Sequence, residues 1–273
     1  MKHKSFIVPH DFTPEADIAL QHAIETSAKS NTTIHLLHVV EDASEVDAAT
    51  EKLDTVIEKH ATSGITITNN IKIGNIFRDI SLFAAEHQAE LIFMGTHGAS
   101  GWQNIVGSHA LRVVTSSPTP FVIVQSKAIK VGGYSKIIVP LDLHKETKQK
   151  LTVVSKLASY FNSEIHIVTP EESDSYLKHQ VETNIMFAES YFKGLNLSLV
   201  SRILPGKDFD KEVVRYAVSE DADLIAIMNL NRTSILSVFS TSFEQFIISN
   251  DAMIPALILN PVETTEIYGA WFD

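Results

Sequence analysis

The chain has 273 residues, 44% of them hydrophobic and 20% charged, with 33 acidic against 22 basic side chains and a formal net charge of -11. That balance suits a folded protein with one large or two medium cores, and it excludes disorder, collagen and coiled coil. An acidic chain without a Lys/Arg tract argues against nucleic acid or anionic membrane as partner, and the lack of cysteine removes disulfides, thiolate nucleophiles and Cys-ligated metals.

In chain order, the run Ser5 to Pro9 reads as a strand buried on two faces. It ends too early for a signal-peptide core, and no later run approaches the ~18 apolar residues of a spanning helix. A cytoplasmic protein is the default expectation. Thr13 suits an N-cap and Pro14 the first position of a helix running to Lys29. Ala16, Ala19, Leu20, Ala23, Ile24 and Ser27 recur at three- and four-residue steps and form its buried stripe, with Ile18 off it. Asp11, just upstream, suits either support of that cap or contact with a ligand. Thr33 to Val40 is a second strand. Its His35 and His38 are an odd number of residues apart, so they face opposite sides, share no metal, and read as core or edge histidines.

A further strand, Glu90 to Met94, runs into Gly95-Thr96-His97-Gly98. The loop continues to Gly107-Ser108, where a helix restarts with Ala110, Leu111 and Val114 inward. Glycines let a backbone approach a ligand and aim successive N–H groups at one anion, and the N-terminus of the following helix adds to that field. The stretch reads as a phosphate cradle at the carboxyl end of a parallel strand. It holds no Lys or Arg, so it supports binding more readily than phosphoryl transfer. His97 and His109 each suit a single hydrogen bond to a ligand, and no nucleophile triad is defined by spacing.

The order of features then repeats. Ile7-Val8-Pro9-His10-Asp11 returns as Ile138-Val139-Pro140-Leu141-Asp142, Ile34 to His38 as Ile165 to Thr169, and Ala89 to Met94 as Ala222 to Ile227. Each copy closes on an apolar strand after a proline, Phe121 to Val124 and Ala256 to Leu259. Two tandem domains of one fold follow, 1–131 and 132–262, joined through Gln125 to Ser135, with a tail at 263–273. The alternation of strands and helices predicts α/β domains with parallel sheets covered by helices. The acidic run Glu171 to Asp174 reads as a helix start.

On these motifs the chain resembles a tandem universal stress protein. Ile-Val-Pro-x-Asp-Phe, Leu-Leu-His-Val, Met-Gly-Thr-His-Gly and Gly-Ser carry the likeness, which runs from Lys4 to Pro261. It implies two Rossmann-like domains, each a five-stranded parallel sheet with helices on both faces, and binding of ATP or a related adenine nucleotide with magnesium as companion ion. Pro9, His10, Asp11 and Val39 are implied beside adenine and ribose. Met94, Gly95, His97, Gly98, Gly107, Ser108 and His109 are implied around the phosphates. The family spacing has nine residues between the second glycine and the Gly-Ser, whereas eight separate Gly98 from Gly107 here.

In the second copy Met228, Asn231 and Ser240 stand where the first has Gly95, Gly98 and Gly107. The expectation is therefore a stress-response regulator that binds nucleotide in its first domain only. The alternatives are an interaction module with both sites empty, a slow ATP hydrolase, or an adenylating ligase or nucleotidyltransferase, whose loop motifs are missing after the first strand. A second copy of the chain is a candidate partner, through the aromatic tail Tyr268 to Phe272. Alternatively, one chain already supplies the pairing that single-domain relatives make by dimerising.

Overall fold

A computed structural model describes residues 4–61, 64–96, 113–115, 117–141, 149–230 and 243–261. The N-terminal half contains β1 (Ser5–Pro9), α1 (Pro14–Ser30), β2 (Thr33–Val40), a 3-10 turn (Ala43–Glu45), α2 (Val46–Lys59), β3 (Ile67–Ile73), α3 (Ile76–Glu86), β4 (Leu91–Gly95) and β5 (Phe121–Val124). The C-terminal half contains β6 (Lys136–Pro140), α4 (Lys150–Phe161), β7 (Glu164–Pro170), α5 (Ser175–Gly194), β8 (Ser198–Leu204), α6 (Phe209–Ser219), β9 (Leu224–Met228), α7 (Phe243–Ile248) and β10 (Ala256–Leu259).

Each half is a five-stranded parallel sheet, and the two fuse into one sheet of ten strands in the order β3-β2-β1-β4-β5-β10-β9-β6-β7-β8. The fusion is an antiparallel pairing of β5 with β10, in which Leu257 faces Val122. Because the halves run in opposite directions, their carboxyl-terminal sheet edges lie at opposite ends of the molecule. The central strands are apolar on both faces, as strands roofed by helices on two sides must be. Phe6, Val8, Leu36 and Phe93 face one layer with α1, α2, α4 and α5. Ile7, Leu37, Ile92 and Ile123 face the other, with α3, α6 and α7. The outer strands β3 and β8 are only half covered.

The helix ends follow their sequence. Thr13 caps α1 by accepting the N–H of Ala16 at 3.4 Å, with Pro14 in the first turn. Asp174 caps α5 by accepting the N–H groups of Tyr176 and Leu177, so the acidic run does begin a helix. Along α1 the buried positions are Ala16, Ala19, Leu20, Ala23 and Ser27, joined by His22 and Thr26, while Ile24 is half-buried. Removing a side-chain cap costs roughly 1 kcal/mol. Thr13→Ala is thus expected to lower the unfolding free energy by about 1 kcal/mol in a urea titration, with the m-value unchanged.

The seam between halves is apolar and polar together. Asn260 donates to the carbonyl of Ser117 at 2.7 Å and accepts from Asn229 at 2.8 Å, and Gln125 donates to the carbonyl of Asn250 at 3.1 Å. Among the described residues no helix is long and apolar enough to cross a membrane.

Candidate functional site

Successive side chains of a strand point to opposite faces, and this places three of the sequence-predicted residues together. Val39 and Met94 pack against the α3-side core, and Pro9 follows Val8, which faces the other layer. All three are half-buried at the carboxyl ends of β2, β1 and β4, which are neighbours in the sheet. They form an apolar shelf at the sheet edge, the position where open parallel sheets take ligands.

Beside the shelf, the turn after β1 is tightly wired. The His10 ring is 3% exposed. Its Nδ1 accepts the N–H of Phe12 at 3.1 Å, so the ring proton sits on Nε2 and is donated to the Asp17 carboxylate, also at 3.1 Å. Burial lowers the His10 pKa, and the Asp17 charge opposes that shift. His38 Nδ1 donates to the His10 carbonyl at 2.6 Å. Phe12 is left-handed, with φ of 66°, a conformation that costs a bulky residue about 1 kcal/mol or more. Its ring is held between His10 and His38, at centroid distances of 5.6 and 4.6 Å, with the Lys52 ammonium 5.3 Å above it.

Asp11 is exposed and accepts from both the N–H and the hydroxyl of Thr13. The cap-support role is thereby present, and the exposed carboxylate still faces solvent at the edge of the shelf. The structure therefore gathers Pro9, His10, Asp11, Val39 and Met94 at one end of the sheet. It adds Phe12, His38 and Lys52, which the sequence did not single out. The Asp-Phe-Thr order was visible, but the left-handed turn that brings Phe12 onto His38 has no sequence signal of its own, since no glycine or asparagine marks it.

Gly95 requires a correction of cause. It lies on the face opposite Met94, and a Cβ built there would stand 2.4 Å from the carbonyl carbon and oxygen of Glu15 and 2.6 Å from the nitrogen of Ala16. The bare side of Gly95 admits the first turn of α1, not a ligand. The following Thr96 is buried, its N–H bonded to the Val124 carbonyl at 2.7 Å. His97, Gly98, Gly107, Ser108 and His109 lie outside the described residues, as does the tail.

His35 and His38 do face opposite layers: His35 packs with Phe83 and His87 under α3, while His38 packs with Phe12. No group of three or more His, Asp or Glu among the described residues is placed to share a metal ion.

Fold and edge together define a two-part α/β protein of Rossmann-like halves, each open at the carboxyl edge of a parallel sheet. Residues 2–125 match the universal stress protein family model. Universal stress protein G of Shigella flexneri is 25% identical over 142 residues, covering 45% of this chain and 99% of that protein. The crystal structure of a universal stress protein from Archaeoglobus fulgidus superposes with a TM-score of 0.77 at 18% identity, covering 94% of this chain and 98% of its own. A protein of unknown function from Pseudomonas aeruginosa does so with a TM-score of 0.63 at 15% identity, covering 94% and 92%. At such identities the two structures speak to the fold. The N-terminal half is a universal stress protein domain, and the C-terminal half repeats its architecture.

Proposed function

We propose that the N-terminal half binds an adenine nucleotide, ATP with magnesium in the first instance, and that occupancy serves a stress-response role by altering stability or partner choice. The observation that carries this reading is the shelf of Pro9, Val39 and Met94 beside the exposed Asp11 carboxylate. A flat apolar surface suits a purine, and a carboxylate at its rim suits the hydroxyls of a ribose. His97, Gly98, Gly107, Ser108 and His109 then supply the phosphate contacts, and Gly95 serves indirectly, by seating α1 against the loop's root. Magnesium takes oxygen ligands and is commonly held by one or two carboxylates together with substrate phosphates. Asp11 fits that part, so the nucleotide's own phosphates carry most of the ion's coordination.

Restriction to the N-terminal half rests on what fills the other edge. Met228, 3% exposed, ends β9 as Gly95 ends β4, and its side chain joins the core on the same face. Glu244 is 3% exposed, and its carboxylate accepts the N–H of Leu230, two residues beyond β9, at 3.1 Å. Lys150 is 2% exposed and its ammonium donates to the Pro140 carbonyl at the end of β6. Side chains thus occupy main-chain groups that an anionic ligand would otherwise meet.

Calorimetric titration of the full chain with ATP and magnesium is expected to give one site per chain. Val39→Asp, which sets a carboxylate on the shelf, and Gly98→Val are each expected to weaken binding at least about tenfold. Two equivalent sites, or unchanged affinity in both variants, would refute the reading.

A further inference from the structure

The strand order reads the same from either edge of the sheet, with the antiparallel β5–β10 pair at its centre, so a pseudo-two-fold axis normal to the sheet relates the halves. It lays α1 on α4 residue for residue: both end on a left-handed asparagine, Asn31 and Asn162. The axis also relates His22 to Val153 and Asp223 to Glu90. Between α1 and the C-terminal half the space is filled by a ring. Tyr134, from the connecting segment, is 1% exposed, its hydroxyl meets His22 Nδ1 at 2.8 Å, and its ring stands edge-on to Phe161 at 5.3 Å. Burial raises the Tyr134 pKa well above the ordinary value, and the nearby Asp223 charge adds to that shift.

The axis-related space, between α4 and the N-terminal half, has no connecting segment to fill it, because the chain passes between halves once and does so on the α1 side. A cavity of about 290 Å³ lies there, with Leu91, Val153 and Leu157 as apolar lining and Glu90, Lys156 and Tyr160 as polar lining. It sits by the amino end of β4, away from the Pro9–Val39–Met94 shelf at the carboxyl ends. The geometry points to this cavity as a binding site for a single-ring aromatic acid.

Three features specify that class. The volume falls at the small end of ligand pockets and takes one ring. The equivalent space across the axis holds a phenol ring of the chain itself, so this junction of helix and sheet accepts a flat aromatic. The polar lining carries a positive surplus: the ammonium groups of Lys156 and Lys4 both pair with the one carboxylate of Glu90, Lys4 at 3.9 Å, and the Tyr160 hydroxyl also donates to Glu90, at 3.4 Å. An ammonium has three donors, so Lys156 retains capacity for a ligand carboxylate while still holding Glu90. A molecule seated there touches β4 of one half and α4 of the other, and so braces the seam.

The test is titration of the full chain with benzoate, followed by backbone amide shifts in nuclear magnetic resonance. Saturable shifts at Leu91 and Val153 are expected, with acetate, which has the charge without the ring, giving none. Lys156→Met is expected to weaken benzoate about tenfold, the loss of one charge-assisted hydrogen bond, and Val153→Phe to abolish it by filling the space, with ATP affinity unchanged in both. Should Val153→Phe fail to fold, the Lys156→Met result decides alone. Absence of saturable shifts in the folded wild type, equal shifts with acetate, or full benzoate affinity in Lys156→Met would overturn the assignment.

Discussion

Replacing Gly95 by alanine is expected to destabilise the protein by about 3 kcal/mol, at the upper end of what overpacking a core does. The added methyl meets the Glu15–Ala16 backbone of α1 at 2.4–2.6 Å, and a helix backbone pinned by the Thr13 cap and the core stripe behind it does not yield as a flexible side chain would. Either α1 shifts, carrying the His10–Asp17 pair with it, or β4 does, carrying the root of the glycine loop. For a chain of this size about 3 kcal/mol corresponds to roughly 6–12 °C in melting temperature, readable by calorimetry. A fall below about 1 kcal/mol would mean that α1 can retreat without penalty. Nucleotide affinity is expected to drop together with stability in this variant, because the shelf and the cap share the same turn.

Acid is expected to weaken the protein through His22. The ring is 1% exposed, with Nε2 donating to the Lys127 carbonyl at 3.0 Å and Nδ1 facing the Tyr134 hydroxyl, and burial depresses its pKa to about 4. The unfolded chain takes up its proton near pH 6.5, before the folded state does. The contribution of neutral His22 is therefore complete above about pH 6.5 and declines as pH falls toward about 4. At about 1.4 kcal/mol per pH unit the decline reaches roughly 3 kcal/mol. His10 and His35, both depressed by burial, act in the same direction. Comparing wild type with His22→Gln isolates the His22 share: the stability gap between them should shrink by roughly 3 kcal/mol from pH 7 to pH 4. A gap independent of pH would contradict the buried neutral ring.

Much of the fold was legible because its signals are local. The doubly apolar runs at Ser5–Pro9, Thr33–Val40 and Leu91–Gly95 leave few readings besides strands roofed on both sides, and Thr13-Pro14 starts a helix by cap chemistry alone. The duplication was legible for the same reason, since both copies must satisfy the same burial. The edge strands β3 and β8 escaped the pattern because they are half exposed: Asn69 and Asn70 bond laterally to α2 and β2 instead of packing. Three further features depend on distant partners. The antiparallel seam requires β10 to find β5 across the whole second half, the left-handed Phe12 is held by His38, and the bare side of Gly95 answers to a helix some 80 residues earlier in the chain. The glycine signalled a close approach correctly, but spacing alone does not say what approaches.

The central claim is that one sheet edge, in the N-terminal half, takes a nucleotide while its counterpart is filled from within. A crystal structure of the full chain grown with ATP and magnesium addresses it directly. The account predicts a purine lying over Pro9, Val39 and Met94, with Glu244 still on the Leu230 amide at the opposite edge. A nucleotide seated instead against Pro140 and Ile227, or both edges left without one at saturating ATP, would contradict it.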